Sequence, residues 1–159
     1  MFYQFNDIPE FKENNLLKEY PHDAGWDIRS GESLMLRCGH NAKISTGLHL
    51  IIPKGFKAIA KSRSGLAVDH AIECTNAGVL DYGYTGEIFL RIYNNGINTF
   101  KIDKGMKIAQ VCFNFSHTVP IQDLLNISIP QSIPEMTSTL FHSLKFDRGN
   151  NGLGSTGRY

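Results

Sequence analysis

The chain has 159 residues and a formal net charge of +1. That length suits one domain with an appendage and is enough to bury a core. The near-neutral balance excludes bulk electrostatic attachment to nucleic acid or membrane, and no segment approaches the ~20 apolar residues of a membrane span.

The N-terminal MFYQFNDIPEFKENN carries carboxylates early and lacks a basic-then-apolar order, so it does not read as a signal peptide. Segment 23–28, DAGWDI, places Asp27 behind a glycine and the only tryptophan. Strands follow at 33–38 (SLMLRC), 43–52 (KISTGLHLII, stopped by Pro53) and 55–61 (GFKAIAK, with Lys57 and Lys61 opposing Phe56, Ala58 and Ala60). A helical turn is expected at 64–71 (SGLAVDHA). In EIFLRIY, 87–93, Ile88, Leu90 and Ile92 share one face; NNG at 94–96 marks a turn before 98–102 (NTFKI), and KIAQVCFNF, 107–115, is the last strand. Turns at 53–55, 81–86 and 103–105 recur at short intervals, which predicts an antiparallel barrel or sandwich rather than a βαβ fold. From Pro120 to Phe146 the pattern weakens around Pro120, Pro130 and Pro134, apart from a helical stretch near 121–127. The expected organisation is a barrel with an N-terminal lead-in over residues 1–118, a connecting arm over 119–146 and a glycine-rich lid over 147–159.

Cys38, Cys74 and Cys112 are far apart, lie in or beside apolar runs and contain no CxxC, so buried, reduced thiols in a reducing compartment are expected. The six histidines show no ligand spacing, which argues against a histidine/cysteine metal site.

Four stretches carry chemistry in the body of the chain. In KSRSGLA, 61–67, Arg63 brings a forked cation, Ser64 a hydroxyl and Gly65 an approachable backbone, together an anion cradle. In NAGVLDYGYTGE, 76–87, a hairpin opened by Asn76, Ala77 and Gly78 exposes backbone groups able to read the polar edge of a base. There Asp81 can orient and deprotonate a water, and Tyr84 offers a flat face for a sugar. GMKIAQ, 105–110, presents Gln110 at a strand start, and AGWDI, 24–28, presents Asp27. Taken alone, each also reads as an ordinary turn.

The fifth stretch is DRGNNGLGSTGRY, 147–159. Gly149 and Gly154 have P-loop spacing, but Ser155 replaces the lysine and only three residues follow Thr156, too few for the helix that a P-loop needs. Extended, thirteen residues reach ~40 Å, far enough to cover a site on a neighbouring subunit. A glycine-rich lid loses much entropy on closing, so closure should depend on ligand.

In this order the five stretches AGWDI, PKGFKAIAKSRSGLA (53–67), NAGVLDYGYTGE, GMKIAQ and RGNNGLGSTG (148–157) resemble the motifs of the trimeric dUTPases. The resemblance covers about residues 20–115 and the tail. It implies an all-β, jelly-roll-like barrel with a C-terminal arm, assembled as a homotrimer whose active sites draw on all three subunits. It further implies hydrolysis of dUTP to dUMP and pyrophosphate, which provides dUMP for dTMP synthesis and limits uracil in DNA.

By that resemblance Asp81 orients the water that attacks the α-phosphorus. Asn76 and the backbone of Ala77, Gly78, Val79 and Leu80 pair with uracil, Tyr84 stacks under the deoxyribose, and Leu153 covers the base. Ser64, Gly65 and Gln110, supported by Arg63, hold the phosphates, with Arg148, Gly154, Ser155 and Thr156 closing from the arm. Mg²⁺ rides on the triphosphate oxygens, with Asp27 behind its water shell. The implied location is the cytoplasm, or the host cytoplasm for a phage-encoded chain, with no nucleic-acid or membrane partner.

Leu153 stands where the family usually has phenylalanine, Asn151 where it has glycine, Gly83 where aspartate is common, and Trp26 where tyrosine or phenylalanine is common. Two alternatives remain open. One is a dCTP deaminase on the same fold, which needs a catalytic glutamate in the hairpin, whereas Glu87 lies beyond the turn. The other is a dUTP-binding regulatory protein that signals through a protein partner, with 119–146 as the surface used.

Overall fold

The computed structural model describes residues 3–9, 16, 18–75, 78–116 and 139. The strands in chain order are β1 (Tyr3–Asn6), β2 (Trp26–Arg29), β3 (Leu34–Leu36), β4 (Asn41–Ser45), β5 (Leu48–Ile51) and β6 (Phe56–Ser62). A helix, α1 (Ser64–His70), precedes β7 (Ile72–Cys74), β8 (Val79–Asp81), β9 (Phe89–Asn94), β10 (Phe100–Ile102) and β11 (Lys107–Phe115). They form a four-stranded sheet in the order β2-β11-β6-β8, a three-stranded sheet β4-β9-β7, and the pairs β1-β5 and β10-β3. Every pairing is antiparallel. The expected all-β architecture is present.

Alternation places the core. In β6, Phe56, Ala58 and Ala60 are buried while Lys57 and Lys61 face outward, and in β9 Leu90 and Ile92 are fully buried behind exposed Arg91. Both larger sheets feed one apolar cluster in which Trp26, Ile44, Ile102 and Val111 are inaccessible or nearly so. Trp26 meets Phe113 edge-on with centroids 5.1 Å apart, a favoured aromatic geometry, so the ring that stands where tyrosine or phenylalanine is common packs in the core.

Several local expectations change. The run 43–52 is two strands, because Gly47 adopts a φ of 62° and breaks the ladder. The buried Thr46 beside it donates its hydroxyl to Ile88 O, and Glu87 reaches in to receive the turn's amides. The 33–38 strand is trimmed to Leu34–Leu36, which leaves Cys38 exposed in the following turn, contrary to the buried thiol expected there. Cys74 is buried, and burial pushes the partly covered Cys112 thiol up from its ordinary range. Strands β1, β2 and β7 have no counterpart in the expected set, since three or four residues carry too little alternation to read. The turn at 94–96 exists, held by Gly96 N–H donating to Asn94 Oδ1, but its flanking strands pair elsewhere, β9 with β4 and β7 and β10 with β3. The helical stretch near 121–127, the arm and the lid lie outside the described residues.

Candidate active site

Strand β11 organises the site. Its register sets Gln110 opposite Asp27 of β2 on one side and Lys61 of β6 on the other, so these side chains share the outer face of the sheet. A bulge between Lys107 and Ala109 shifts the β2 pairing there. Chain continuity then carries β6 through Arg63 into α1, which places Ser64 and Gly65 at the rim. The result is a pocket of about 390 Å³ lined by Asp27, Arg63, Ser64, Gly65 and Gln110, with Gly25 and the acidic Glu19 and Asp23 at its edge.

One carboxylate holds the cations of this wall. Asp27, 14 % exposed at its side chain, accepts Arg63 Nε on Oδ1 and Lys107 Nζ on Oδ2, both at 2.9 Å. Lys107 also reaches Glu19 Oε2 at 2.9 Å, and Arg63 leans on the Lys107 carbonyl at 3.4 Å. The Asp27 and Glu19 carboxylates hold the Lys107 ammonium above its ordinary value, and Lys107 in turn holds the exposed Glu19 carboxyl below its own. Gln110 donates to Ser62 O at 3.3 Å, which fixes its amide in the pocket.

Two glycines have different reasons. A Cβ on Gly25 would fall 2.9 Å from Gln110 Oε1 and 3.2 Å from Gln110 Cβ, so the AGWDI glycine makes room for the glutamine. A Cβ on Gly65 would meet nothing closer than Asp69 Oδ2 at 3.9 Å, so packing within the chain does not require glycine there. What it does provide is bare backbone beside the pocket.

The other predicted residues lie at a different corner of the same sheet face. Strand β8 pairs with β6 so that Asp81 opposes Lys57 and Val79 opposes Ile59. Gly78 leads in with a φ of 102°, and Gly83 turns the chain at 81°. Tyr84 donates its hydroxyl to Glu87 O at 2.8 Å, its ring lying so close over Gly86 that a Cβ there would clash at 2.5 Å. The Leu80 side chain is buried, which leaves its backbone as the part able to read a base. Lys57 and Lys61 are four residues apart and two strand spacings separate β8 from β11, which puts Asp81 roughly 16 Å from Gln110. Between the two corners runs an apolar row, Cys112 opposite Ile59 opposite Val79, with Val79 46 % exposed.

Asn76, Ala77, Arg148, Leu153, Gly154, Ser155 and Thr156 lie outside the described residues. Lys107, Glu19 and Asp23 were not anticipated; Lys107 stands inside GMKIAQ, but its partner Glu19 is 88 residues away and no spacing rule links them. Among the described residues no group of three or more His, Cys, Asp or Glu could hold a metal ion, and no helix is long and apolar enough to cross a membrane. Glu87 accepts Ser45 Oγ at 2.5 Å and the Thr46 and Gly47 amides at 3.0 Å, a turn-holding role that leaves the hairpin without the glutamate a deaminase requires.

The profile of the dUTPase family matches residues 13–157. The deoxyuridine 5'-triphosphate nucleotidohydrolase of Clostridium acetobutylicum is 35% identical over 153 residues, covering 94% of each chain. That of Clostridium tetani is 35% identical over 154 residues, covering 95% of each. Among solved structures, the dUTPase from phage phi11 of S. aureus aligns with a TM-score of 0.66 at 22% identity, over 76% of this chain and 94% of that one.

Proposed function

The chain belongs to the dUTPase family, and we propose on that premise that it hydrolyses dUTP to dUMP and pyrophosphate in a site shared between copies of itself. The observation that carries the shared site is the separation of Asp81 from the Gln110 pocket on one sheet face. A second chain that covers the apolar row Cys112–Ile59–Val79 would bring its own Asp81 to this chain's pocket. A homotrimer closes such a head-to-tail contact with three equivalent sites.

In this reading the Ser64 hydroxyl, the Gly65 backbone and the Gln110 amide receive the phosphates. Arg63, aimed by Asp27, adds positive charge where negative charge accumulates on the leaving group. Asp81 accepts a proton from the water whose oxygen forms the new bond to the α-phosphorus, while the bond from that phosphorus to the bridging oxygen breaks and pyrophosphate leaves. Backbone from Gly78 to Leu80, with Asn76 and Ala77, reads uracil; such a matched polar edge can reject a wrong base by roughly 10⁴-fold. The Tyr84 ring, anchored through Glu87 O, lies under the deoxyribose and leaves no space for a 2′-hydroxyl. Leu153 covers the base, and Arg148, Gly154, Ser155 and Thr156 close on the phosphates.

The donor set fits a Mg²⁺ ion brought in on the substrate, because both Asp27 oxygens are already engaged and leave that carboxylate only an outer role through water. Bound there, the ion would supply charge neutralisation of the departing pyrophosphate.

Pyrophosphate release from dUTP, dCTP, dTTP and UTP tests the reading, with wild type beside Asp81→Asn. Turnover of dUTP alone, reduced roughly 10²–10⁴-fold in Asp81→Asn, is expected. Tight dUTP binding without turnover would replace the hydrolase with a nucleotide-binding regulator, and ammonia release from dCTP would replace it with a deaminase.

A further inference from the structure

His49 is a core histidine that the reaction described above does not use. It sits on β5, 9 % exposed, paired in register with Phe5 of β1. Its Nδ1 lies 2.9 Å from Thr85 O, and its Nε2 lies 2.9 Å from Asp7 Oδ2. A carbonyl oxygen only accepts, so the Thr85 contact is made by an N–H on Nδ1. Asp7 comes from the end of β1, and Glu87, from the hairpin, is turned toward Ser45, Thr46 and Gly47.

Both ends of this bridge are anchored. Asp7 N–H donates to Gly47 O at 2.8 Å, and the next residue, Ile8, fills a slot made by two glycines. A Cβ on Gly31 or Gly47 would come within 2.7 Å of the Ile8 side chain. At the other end, Thr85 lies between Tyr84 and Gly86 on the return leg of the hairpin that begins at Asp81. That leg is already tied at Glu87, to the β4–β5 turn.

We propose that His49 is a positioning residue for sugar selection, holding Thr85 O against the anchored β1–β5 pair so that the neighbouring Tyr84 ring keeps its place under the deoxyribose. The inference rests on the dUTPase reading for the role of Tyr84, whereas the His49–Thr85 tether stands on geometry alone.

Two near-isosteric variants separate the two nitrogens. The His49→Asn amide places its donor near Nδ1 and keeps Thr85, whereas the His49→Gln amide places it near Nε2 and keeps Asp7. KM and kcat for dUTP, and kcat/KM for UTP, would be measured for both beside wild type and Asp7→Asn. Amide exchange across residues 81–87 would be followed without nucleotide. His49→Asn and Asp7→Asn are expected within about threefold of wild type. His49→Gln is expected to lower the dUTP/UTP selectivity ratio roughly 5- to 100-fold, mostly through KM, as follows from losing a hydrogen bond to a part-buried carbonyl. Its amides at 84–87 should also exchange faster. His49→Ala, which removes both ring nitrogens, is expected to behave like His49→Gln and serves should that variant not fold. Equal behaviour of the Asn and Gln variants in selectivity and exchange would overturn the proposal and leave His49 as core filling. If wild type does not turn over dUTP, the dUTPase reading fails by itself, and the exchange comparison still decides whether His49 tethers the hairpin.

Discussion

Arg63 Nε and Asp27 Oδ1 lie 2.9 Å apart, and this contact aims the guanidinium along the pocket wall. The second oxygen of the same carboxylate holds Lys107. Asp27→Asn therefore leaves two partly buried cations facing each other across a neutral amide. Urea unfolding should register a loss of about 1–3 kcal/mol, and KM for dUTP should rise as Arg63 loses its fixed direction. An unchanged KM would show that Arg63 needs no aiming.

Lys107 and Glu19 set two pH limits. The Lys107 ammonium, held by Asp27 first and Glu19 second, titrates above its ordinary 10.5 in the folded chain; its stabilisation is full below that value and is lost as pH rises through the higher folded one. Glu19, held by Lys107, titrates below its ordinary 4.5; its contribution is present above that value and is lost as pH falls through the lower folded one. Both contributions are intact between those limits. Stability followed from about pH 5 to about pH 3 should fall less steeply in Glu19→Gln than in wild type. Parallel acid limbs would remove Glu19 from the account.

Gly25→Ala tests why a glycine precedes Trp26. The new Cβ would displace the Gln110 side chain, whose own Cβ at 3.2 Å cannot swing away as its amide end can. The amide should lose its contact with Ser62 O, and KM should rise by roughly tenfold, the loss of one phosphate donor. Gln110→Ala should raise it by a similar amount, and the double variant should add little, because both changes remove the same donor.

Leu153→Phe addresses the lid. A phenyl ring over uracil adds stacking that leucine lacks, worth about 0.5–1.5 kcal/mol in aromatic pairs, so KM for dUTP should fall roughly 2- to 10-fold. An unchanged KM would mean that leucine covers the base as well as a ring does.

How much of this could be read beforehand depended on the range of the interaction. The nine residues of β11 were legible to both ends, though not the bulge between Lys107 and Ala109, and so was the split of β6 into buried Phe56, Ala58 and Ala60 against outward lysines. Motif order brought Asp27, Arg63, Ser64, Gly65 and Gln110 into one pocket, because each lies at a strand end or turn that the sheet register collects. Contacts that depend on chain separation were invisible: Lys107 with Glu19, His49 with Asp7 and Thr85, and Glu87 with the Gly47 turn. The break at Gly47 was missed for the same reason, since a glycine inside an apolar run reveals its conformation only through what packs on it, here Ile8.

The separation of roughly 16 Å between Asp81 and Gln110 has a genetic consequence. If each working site joins the Asp81 of one copy to the Gln110 of another, Asp81→Asn and Gln110→Ala damage different halves of it. Two impaired alleles expressed together would then complement in part: in mixed assemblies formed at equal amounts, about a quarter of the sites would unite two intact halves. Mixed with wild type, the Asp81 variant would leave activity proportional to the wild-type share, because every intact Asp81 still meets an intact Gln110.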